Sequence, residues 1–176
     1  MNVSLVITVI GPDRPGIVRL LADRGRAFDA NWADSRMASL AGQFAGIVHW
    51  QVPAENAESM AAALRELEAS GLRIVIAKGE TTPTVSDRRM IKLELVGHDR
   101  PGIVQQVSRT LSDRDVSIEE LHTEFSSGAW SGEHLFKASA LLSVPATLTI
   151  DALRQTLESL ANEMMVDLTI NDEPVR

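Results

Sequence analysis

The stretch that decides the fold is Gly-Pro-Asp-Arg-Pro-Gly-Ile-Val, Gly11–Val18, which returns 86 residues later as Gly-His-Asp-Arg-Pro-Gly-Ile-Val, Gly97–Val104. Each copy follows an apolar, strand-like run, Val3–Ile10 or Met90–Val96, and precedes a helical pattern. One unit is therefore present twice, with a strand-to-helix loop in common. Because surface loops tolerate substitution, a loop shared by two divergent halves indicates a function for that loop.

Around this loop, the first half predicts the order strand, helix, strand, strand, helix, strand. The predicted strands are Val3–Ile10, Trp32–Leu40, Phe44–Val52 and Leu72–Ile76, and the predicted helices are Pro15–Phe28 and Ala57–Ser70. The second half repeats this order with a longer hairpin, whose additional residues lie within 126–132. The proline of each motif, Pro15 or Pro101, is expected in the first turn of a helix, where a missing N–H costs nothing.

This order predicts an α+β fold made of two ferredoxin-like βαββαβ domains. Each domain is expected to be a four-stranded antiparallel sheet with strand order 4-1-3-2 and both helices on one face. Residues 79–88 are rich in proline, glycine and polar residues without a periodic pattern. We therefore predict an N-terminal domain at 1–78, a linker at 79–88 and a C-terminal domain at 89–172.

The composition narrows the possible functions. The chain has 176 residues, 44% of them hydrophobic, and a net charge of −7. This acidic charge disfavours direct contact with nucleic acid. Cysteine is absent, which rules out disulfides, thiolate catalysis and cysteine-based zinc sites. No signal-peptide pattern or apolar run of the ~20 residues needed to span a membrane is present, so we expect a cytoplasmic protein without membrane association.

The repeated loop has the residue types of a small binding site. A helix N-terminus presents free backbone N–H groups that attract carboxylates or phosphates. A glycine there, Gly16 or Gly102, would let a ligand approach the backbone. The aspartate, Asp13 or Asp99, could cap the helix or accept a hydrogen bond from an ammonium group. These features suit an amino acid, although a helix start without any ligand would use the same residue types.

The motif, set within β-α-β-β-α-β, resembles the ACT domain, a regulatory module that binds amino acids. The tandem arrangement without an enzyme resembles the glycine cleavage system transcriptional repressor family. Ser117–Thr123, Ser131–Phe136 and the strand ending at Val144–Pro145 are similar to the second domain of that family. The resemblance spans nearly the whole chain.

The resemblance implies that the domains pair side by side and bind an effector near the first loop, at the interface of the pair. It also implies a polar residue at the start of the second strand, a position that Asn31 and Ser117 occupy. Because serine is shorter than asparagine, the two sites are expected to differ. The expected ligand-binding residues are Gly11, Asp13, Arg14, Gly16, Ile17, Asn31, Gly97, His98, Asp99, Arg100, Gly102, Ile103 and Ser117.

The predicted function is therefore a non-enzymatic regulator that senses a small amino acid, with glycine suggested by the resemblance. The resemblance also implies that it would control transcription through a DNA-binding activator as its protein partner, without contacting DNA itself. A homo-oligomer is compatible with this function. Two alternatives stay open. One is a constitutive adaptor with vestigial ligand sites, and the other is an acylphosphatase-like enzyme that would use Arg14. No cofactor and no metal are expected.

Other side chains support weaker hypotheses. Glu120, His122 and Glu124 alternate along one strand, which is typical of an exposed strand face more than of a metal site. Trp50 is expected in the core. Trp130, in the longer hairpin, is expected to be an exposed contact residue. No Ser-His-Asp arrangement and no phosphate-binding glycine loop is evident in the sequence.

Overall fold

A computed structural model describes residues 1–79, 87–127 and 134–171. The chain divides into two compact units, residues 1–83 and 84–176. Each unit forms one four-stranded antiparallel sheet with two α-helices. The predicted fold class is confirmed, while residues 80–86 of the predicted linker and Trp130 lie outside the described residues.

The first unit has the predicted strand order. Its strands are β1 (Asn2–Pro12), β2 (Asn31–Leu40), β3 (Gln43–Pro53) and β4 (Arg73–Lys78), arranged β2-β3-β1-β4. Its helices are α1 (Ile17–Ala27) and α2 (Ala57–Arg65), and α2 is followed by a 3₁₀ helix, Glu66–Ser70. Sequence periodicity predicted one continuous α-helix over Ala57–Ser70. This prediction is wrong for the last part of the segment, which has the tighter geometry of a 3₁₀ helix. Gly71, with φ of 85°, ends it as expected.

The second unit repeats this topology. Its strands are β5 (Arg88–His98), β6 (Ser117–Ser127), β7 (His134–Pro145) and β8 (Val166–Asn171), arranged β6-β7-β5-β8. Its helices are α3 (Ile103–Ser112) and α4 (Ile150–Met164). Thr149 caps α4 through its hydroxyl, which accepts a hydrogen bond from the Ala152 N–H at 3.3 Å.

Each core lies between a sheet and its helices, and the two cores use different residue pairs. In the first unit Trp50 of β3 is 1% exposed and lies against Gly25 of α1. The corresponding residues of the second unit are Leu142 and Leu111, both completely buried in one cluster. The first core thus combines a large tryptophan with a glycine, and the second core fills the same two positions with leucines of intermediate size.

Candidate functional site

The repeated loop places an open helix N-terminus beside the end of the first strand. In the first unit β1 ends at Pro12 and α1 begins at Ile17. Gly16 has φ of 96° and ψ of −3°, in the left-handed region that favours glycine. A Cβ atom at Gly16 would meet no atom within 4 Å, so the space in front of this backbone is open. The backbone N–H groups of the first helical turn, which lack intrahelical acceptors, lie beside this space.

The sequence placed the helix start two residues too early. Pro15 precedes the helix, because the left-handed Gly16 interrupts helical geometry before Ile17. The Leu20 N–H makes the first helical hydrogen bond, to the Gly16 carbonyl, at 2.9 Å. Pro101 precedes α3 in the same way, since Gly102 has φ of 98°. The expectation of a proline in the first turn is therefore wrong in both units.

Asp13 does not cap α1, contrary to the capping hypothesis. Its Oδ2 accepts a hydrogen bond from the Ser39 hydroxyl at 2.5 Å, and its backbone N–H donates to the Gly42 carbonyl at 2.9 Å. No side chain caps α1 at its N-terminus. The carboxylate is exposed, and within the described part of the chain its Oδ1 accepts no hydrogen bond. Asp13 is thus fixed by the end of β2 with one oxygen left to interact with a cationic group.

Gly11 and Arg14 have structural roles that the sequence did not reveal. A Cβ atom at Gly11 would lie 2.8 Å from the Gly71 carbonyl oxygen, so this glycine permits a close approach of the chain before β4. The Arg14 Nη2 donates a hydrogen bond to the Ser70 carbonyl at 2.7 Å, at the end of the 3₁₀ helix. Arg14 thereby stabilises a helix C-terminus. This contact does not support the anion-binding role that an acylphosphatase-like function would need.

The second loop has the same backbone but different neighbours. The Asp99 N–H donates to the His134 carbonyl at 2.9 Å, which reproduces the contact of Asp13 with Gly42. Phe125, 58% exposed, takes the place of Ser39 and lies with its ring centroid 5.0 Å from that of His134. The Asp99 carboxylate therefore has no hydroxyl partner at this position. The two loops also differ at Pro12 and His98, and a further difference in polarity lies on β6, where Phe125 stands in place of Ser39.

Among the remaining residues of the second motif, Gly97 resembles its counterpart in the first motif, whereas Arg100 does not. Gly97 approaches β8 closely, since a Cβ atom there would lie 2.4 Å from a side-chain carbon of Val166. His98 is exposed at the end of β5. Arg100 is half-buried, and among the described residues it has no hydrogen bond or ion pair like that of Arg14.

Asn31 and Ser117 lie far from the loop of their own unit. Asn31 pairs with Gln51, which pairs with Ser4 near the start of β1. The loop begins after Pro12, so at ~3.3 Å per residue the separation along the strand is roughly 26 Å. Ser117 is placed equivalently at the start of β6. One unit alone does not bring these residues to its loop, and their role in binding stays a prediction.

Ile17 and Ile103 begin their helices and point into the cores. Each is 3% exposed. Their side chains anchor the helix start against the sheet, so a ligand beside the loop would meet their backbone N–H groups. Their predicted contribution to binding is thus restricted to the main chain.

A second polar group, which the sequence did not reveal, lies on the open face of the first sheet, opposite the helices. The Ser4 hydroxyl lies 2.7 Å from Nε2 of His49, and the Gln51 side-chain amide nitrogen lies 3.2 Å from the same atom. On the neighbouring strand, Asp34 Oδ1 accepts hydrogen bonds from the Ser35 N–H and the Arg36 guanidinium, both at 2.7 Å. The Ser35 N–H, followed by the Arg36 guanidinium, lowers the pKa of the Asp34 carboxyl.

This group contains a serine, a histidine and an aspartate, but it lacks the contacts of a catalytic triad. Asp34 accepts hydrogen bonds from Ser35 and Arg36, and in the described structure it accepts none from His49. Ser4 is only 5% exposed, so its hydroxyl is poorly placed to attack a substrate. Among residues 1–79, 87–127 and 134–171, no three histidine or acidic side chains come together as a metal site, and no helix is long and apolar enough to cross a membrane.

The comparisons with known proteins agree with this architecture. The model of the ACT domain family matches residues 4–76 and 89–171. The chain therefore belongs to the ACT domain family, with two copies of the domain. No curated protein matches the chain.

Two solved structures match this chain over nearly its full length. The chain is similar to an unknown protein from Galdieria sulphuraria, with 29% identity, a TM-score of 0.87 and coverage of 98% of this chain and 99% of that chain. It has the fold of a protein described as a "putative glycine cleavage system transcriptional repressor", with 18% identity, a TM-score of 0.71 and coverage of 97% of both chains. These likenesses extend over both units.

Proposed function

We propose that this protein is a regulator that senses a small amino acid, glycine by preference, through the loop of its first unit. The observation that carries the proposal is the pairing of a fixed carboxylate with an open helix N-terminus: Asp13 is held by Ser39 at 2.5 Å, and the space before Gly16 is free of other atoms. The ligand carboxylate would accept hydrogen bonds from the backbone N–H groups of the first turn of α1. Its ammonium group would lie against the Asp13 carboxylate.

The second unit would serve mainly for protein contact. Phe125 stands where Ser39 stands in the first unit, and its exposed ring lies next to His134. Exposed aromatic rings are frequent anchors of protein interfaces. Binding of the amino acid would favour one arrangement of the protein, which would change its affinity for a DNA-binding activator. The net charge of −7 suits an effect through a protein better than direct contact with DNA.

A panel of amino acids in a thermal unfolding assay tests this proposal. A ligand present at about 100 times its Kd stabilises the folded state by about 2.7 kcal/mol, which gives a rise in Tm that is easily measured. Glycine is expected to raise Tm more than larger amino acids do. Acetyl phosphate turnover that disappears in Arg14→Ala would instead support the acylphosphatase-like alternative.

Matched variants locate the site. Asp13→Asn preserves an acceptor for Ser39 but removes the charge, so we expect it to abolish the rise in Tm. Asp99→Asn is the equivalent change in the second unit and should retain the rise. If glycine has no effect on the unaltered protein but an activator is still bound, the constitutive adaptor is the better description. If glycine acts equally on both variants and the unaltered protein, the loops are not the ligand site.

A further inference from the structure

The open face of the first sheet contains a hollow of about 310 Å³, separate from the loop site. This volume is at the lower end of the range of small-molecule sites, about 300–1,000 Å³. Its polar lining includes Asp34, Arg36 and His49, together with the buried Ser4. A β-bulge between Trp32 and Asp34 shifts the register of β2 at this point. Bulges frequently redirect side chains beside functional sites.

The polar groups of the hollow suit a ligand that has one positive and one negative charge. The Gln51 amide nitrogen can only donate, so Nε2 of His49 acts as acceptor for Gln51 and for the Ser4 hydroxyl. The ring proton then lies on Nδ1, which has no hydrogen-bond partner among the described residues. Asp34 supplies a carboxylate and Arg36 a guanidinium, 2.7 Å apart.

A zwitterion fits this pair better than a simple ion does. Its carboxylate can interact with Arg36 while its ammonium group interacts with Asp34, so that neither protein charge loses its counter-charge. An anion bound at Arg36 would bring no group to offset the Asp34 carboxylate beside it. The remaining wall includes the side chains of Val6 and Ile47, and Ile47 is 46% exposed. A small aliphatic side chain would cover this apolar surface.

The second unit lacks this arrangement at the corresponding positions. Met90 stands in place of Ser4, and Leu141 in place of His49, according to the strand registers. Lys92 replaces Val6, so the apolar wall is also lost. Lys92 and Glu94 form an ion pair of 2.7 Å on the same face. At the positions of Asp34 and Arg36 the second unit has Glu120 and His122. It therefore lacks the guanidinium, the apolar wall and a histidine at the position of His49, which makes it an internal control.

We infer that the hollow on the open face of the first sheet binds a small aliphatic α-amino acid through Asp34, Arg36 and His49. The ligand carboxylate contacts Arg36 and the Nδ1–H of His49, the ammonium group contacts Asp34, and the side chain lies on Val6 and Ile47. The inference rests on the proposed function in assigning amino-acid ligands to this chain, but it concerns a different surface.

The ring of His49 provides a direct readout. His49 is the first of the four histidines in the chain, and the others are at positions 98, 122 and 134. Histidine-ring NMR signals can be followed during titration with L-valine, with acetate and methylammonium as single-charge controls, and His49→Asn identifies the signal. We expect valine to move the His49 signals, and acetate and methylammonium to move them at least tenfold less at equal concentration.

Two variants decide between the hollow and the loop. Asp34→Asn should weaken valine binding at least tenfold. Glu94→Gln, which removes the acidic partner of Lys92 in the second unit, should leave valine binding unchanged. Asp34 is well exposed, so its amide variant should fold, which an amide NMR spectrum checks. Unmoved His49 signals, or equal affinity in Asp34→Asn, overturn the inference. Valine binding that fails in Asp13→Asn but persists in Asp34→Asn would overturn it too, while supporting the loop site.

Discussion

Gly25 of α1 gives a test of how tightly the first core is packed. A Cβ atom at this position would lie 1.9 Å from Cζ3 and 2.0 Å from Cη2 of Trp50. Favourable carbon–carbon contacts need about 3.5–4.0 Å. The indole would therefore have to move by about 1.5 Å or more, although Trp50 is only 1% exposed. Gly25→Ala therefore has two effects that act in opposite directions on stability: a gain in helix propensity and a steric conflict in the core.

The magnitudes predict that the steric conflict dominates. Alanine in place of glycine within a helix stabilises by about 0.5–1 kcal/mol when nothing else changes. Overpacking a well-filled core costs about 1–3 kcal/mol or more. We expect Gly25→Ala to lower the free energy of unfolding by about 1–2 kcal/mol. Urea unfolding followed by tryptophan fluorescence measures this, in a Trp130→Phe background so that only Trp32 and Trp50 report.

The second unit supplies the compensating pair. Gly25→Leu combined with Trp50→Leu recreates Leu111 and Leu142 in the first core, and it also removes the buried Trp50 Nε1, which has no hydrogen-bond partner in the described structure. The double variant should be more stable than Gly25→Leu alone. The coupling energy between neighbouring sites is expected at about 0.5–3 kcal/mol. A stabilising Gly25→Ala, or strict additivity in the double variant, would refute the packing argument.

Two further predictions concern polar contacts of the first unit. Arg14→Ala removes the 2.7 Å hydrogen bond to the Ser70 carbonyl and should lower stability by about 0.5–1.5 kcal/mol, measured by urea unfolding, while glycine affinity stays within twofold. A loss of glycine affinity at unchanged stability would show that Arg14 serves the ligand instead. The Asp34 carboxyl, whose pKa is lowered chiefly by the Ser35 N–H, contributes stability above its ordinary pKa of about 3.9, and this contribution is lost as the pH falls through its lower folded-state pKa. Carboxyl NMR titration should place its midpoint below that ordinary value, and a midpoint at or above it would contradict the contacts described.

Much of the fold could be predicted because the duplicated pattern is local. Strand alternation and helical spacing recur in both halves, and the shared topology limits how such elements combine. The sequence predicted the strand order 4-1-3-2, which is confirmed in both sheets. It misplaced the start of α1 because Pro15 and Gly16 are both common at helix beginnings. Only the backbone angles show that Gly16, with φ of 96°, lies before the helix.

The candidate site was less predictable because it depends on strand register. Ser39 lies 26 residues from Asp13 along the chain, yet their side chains meet at 2.5 Å. The correspondence of Ser39 with Phe125 is visible in the duplicated sequence at the same offset as the loops, and it could have indicated the difference in polarity between the two loops. The sequence does not show that these positions adjoin the loop, because it does not specify how far the hairpin lies from the loop.

The duplication, the βαββαβ order and the loop that the two units share all follow from spacing along the chain, so the amino-acid order was sufficient to establish them. The folded structure was needed to show that Arg14 supports a helix end, that Asp13 is held by Ser39, and that Ser4 meets His49 across 45 residues of sequence. The physical reason is that antiparallel pairing fixes which distant residues become neighbours. Side-chain contacts between strands depend on that register and on the bulge at Asp34, which no local pattern specifies.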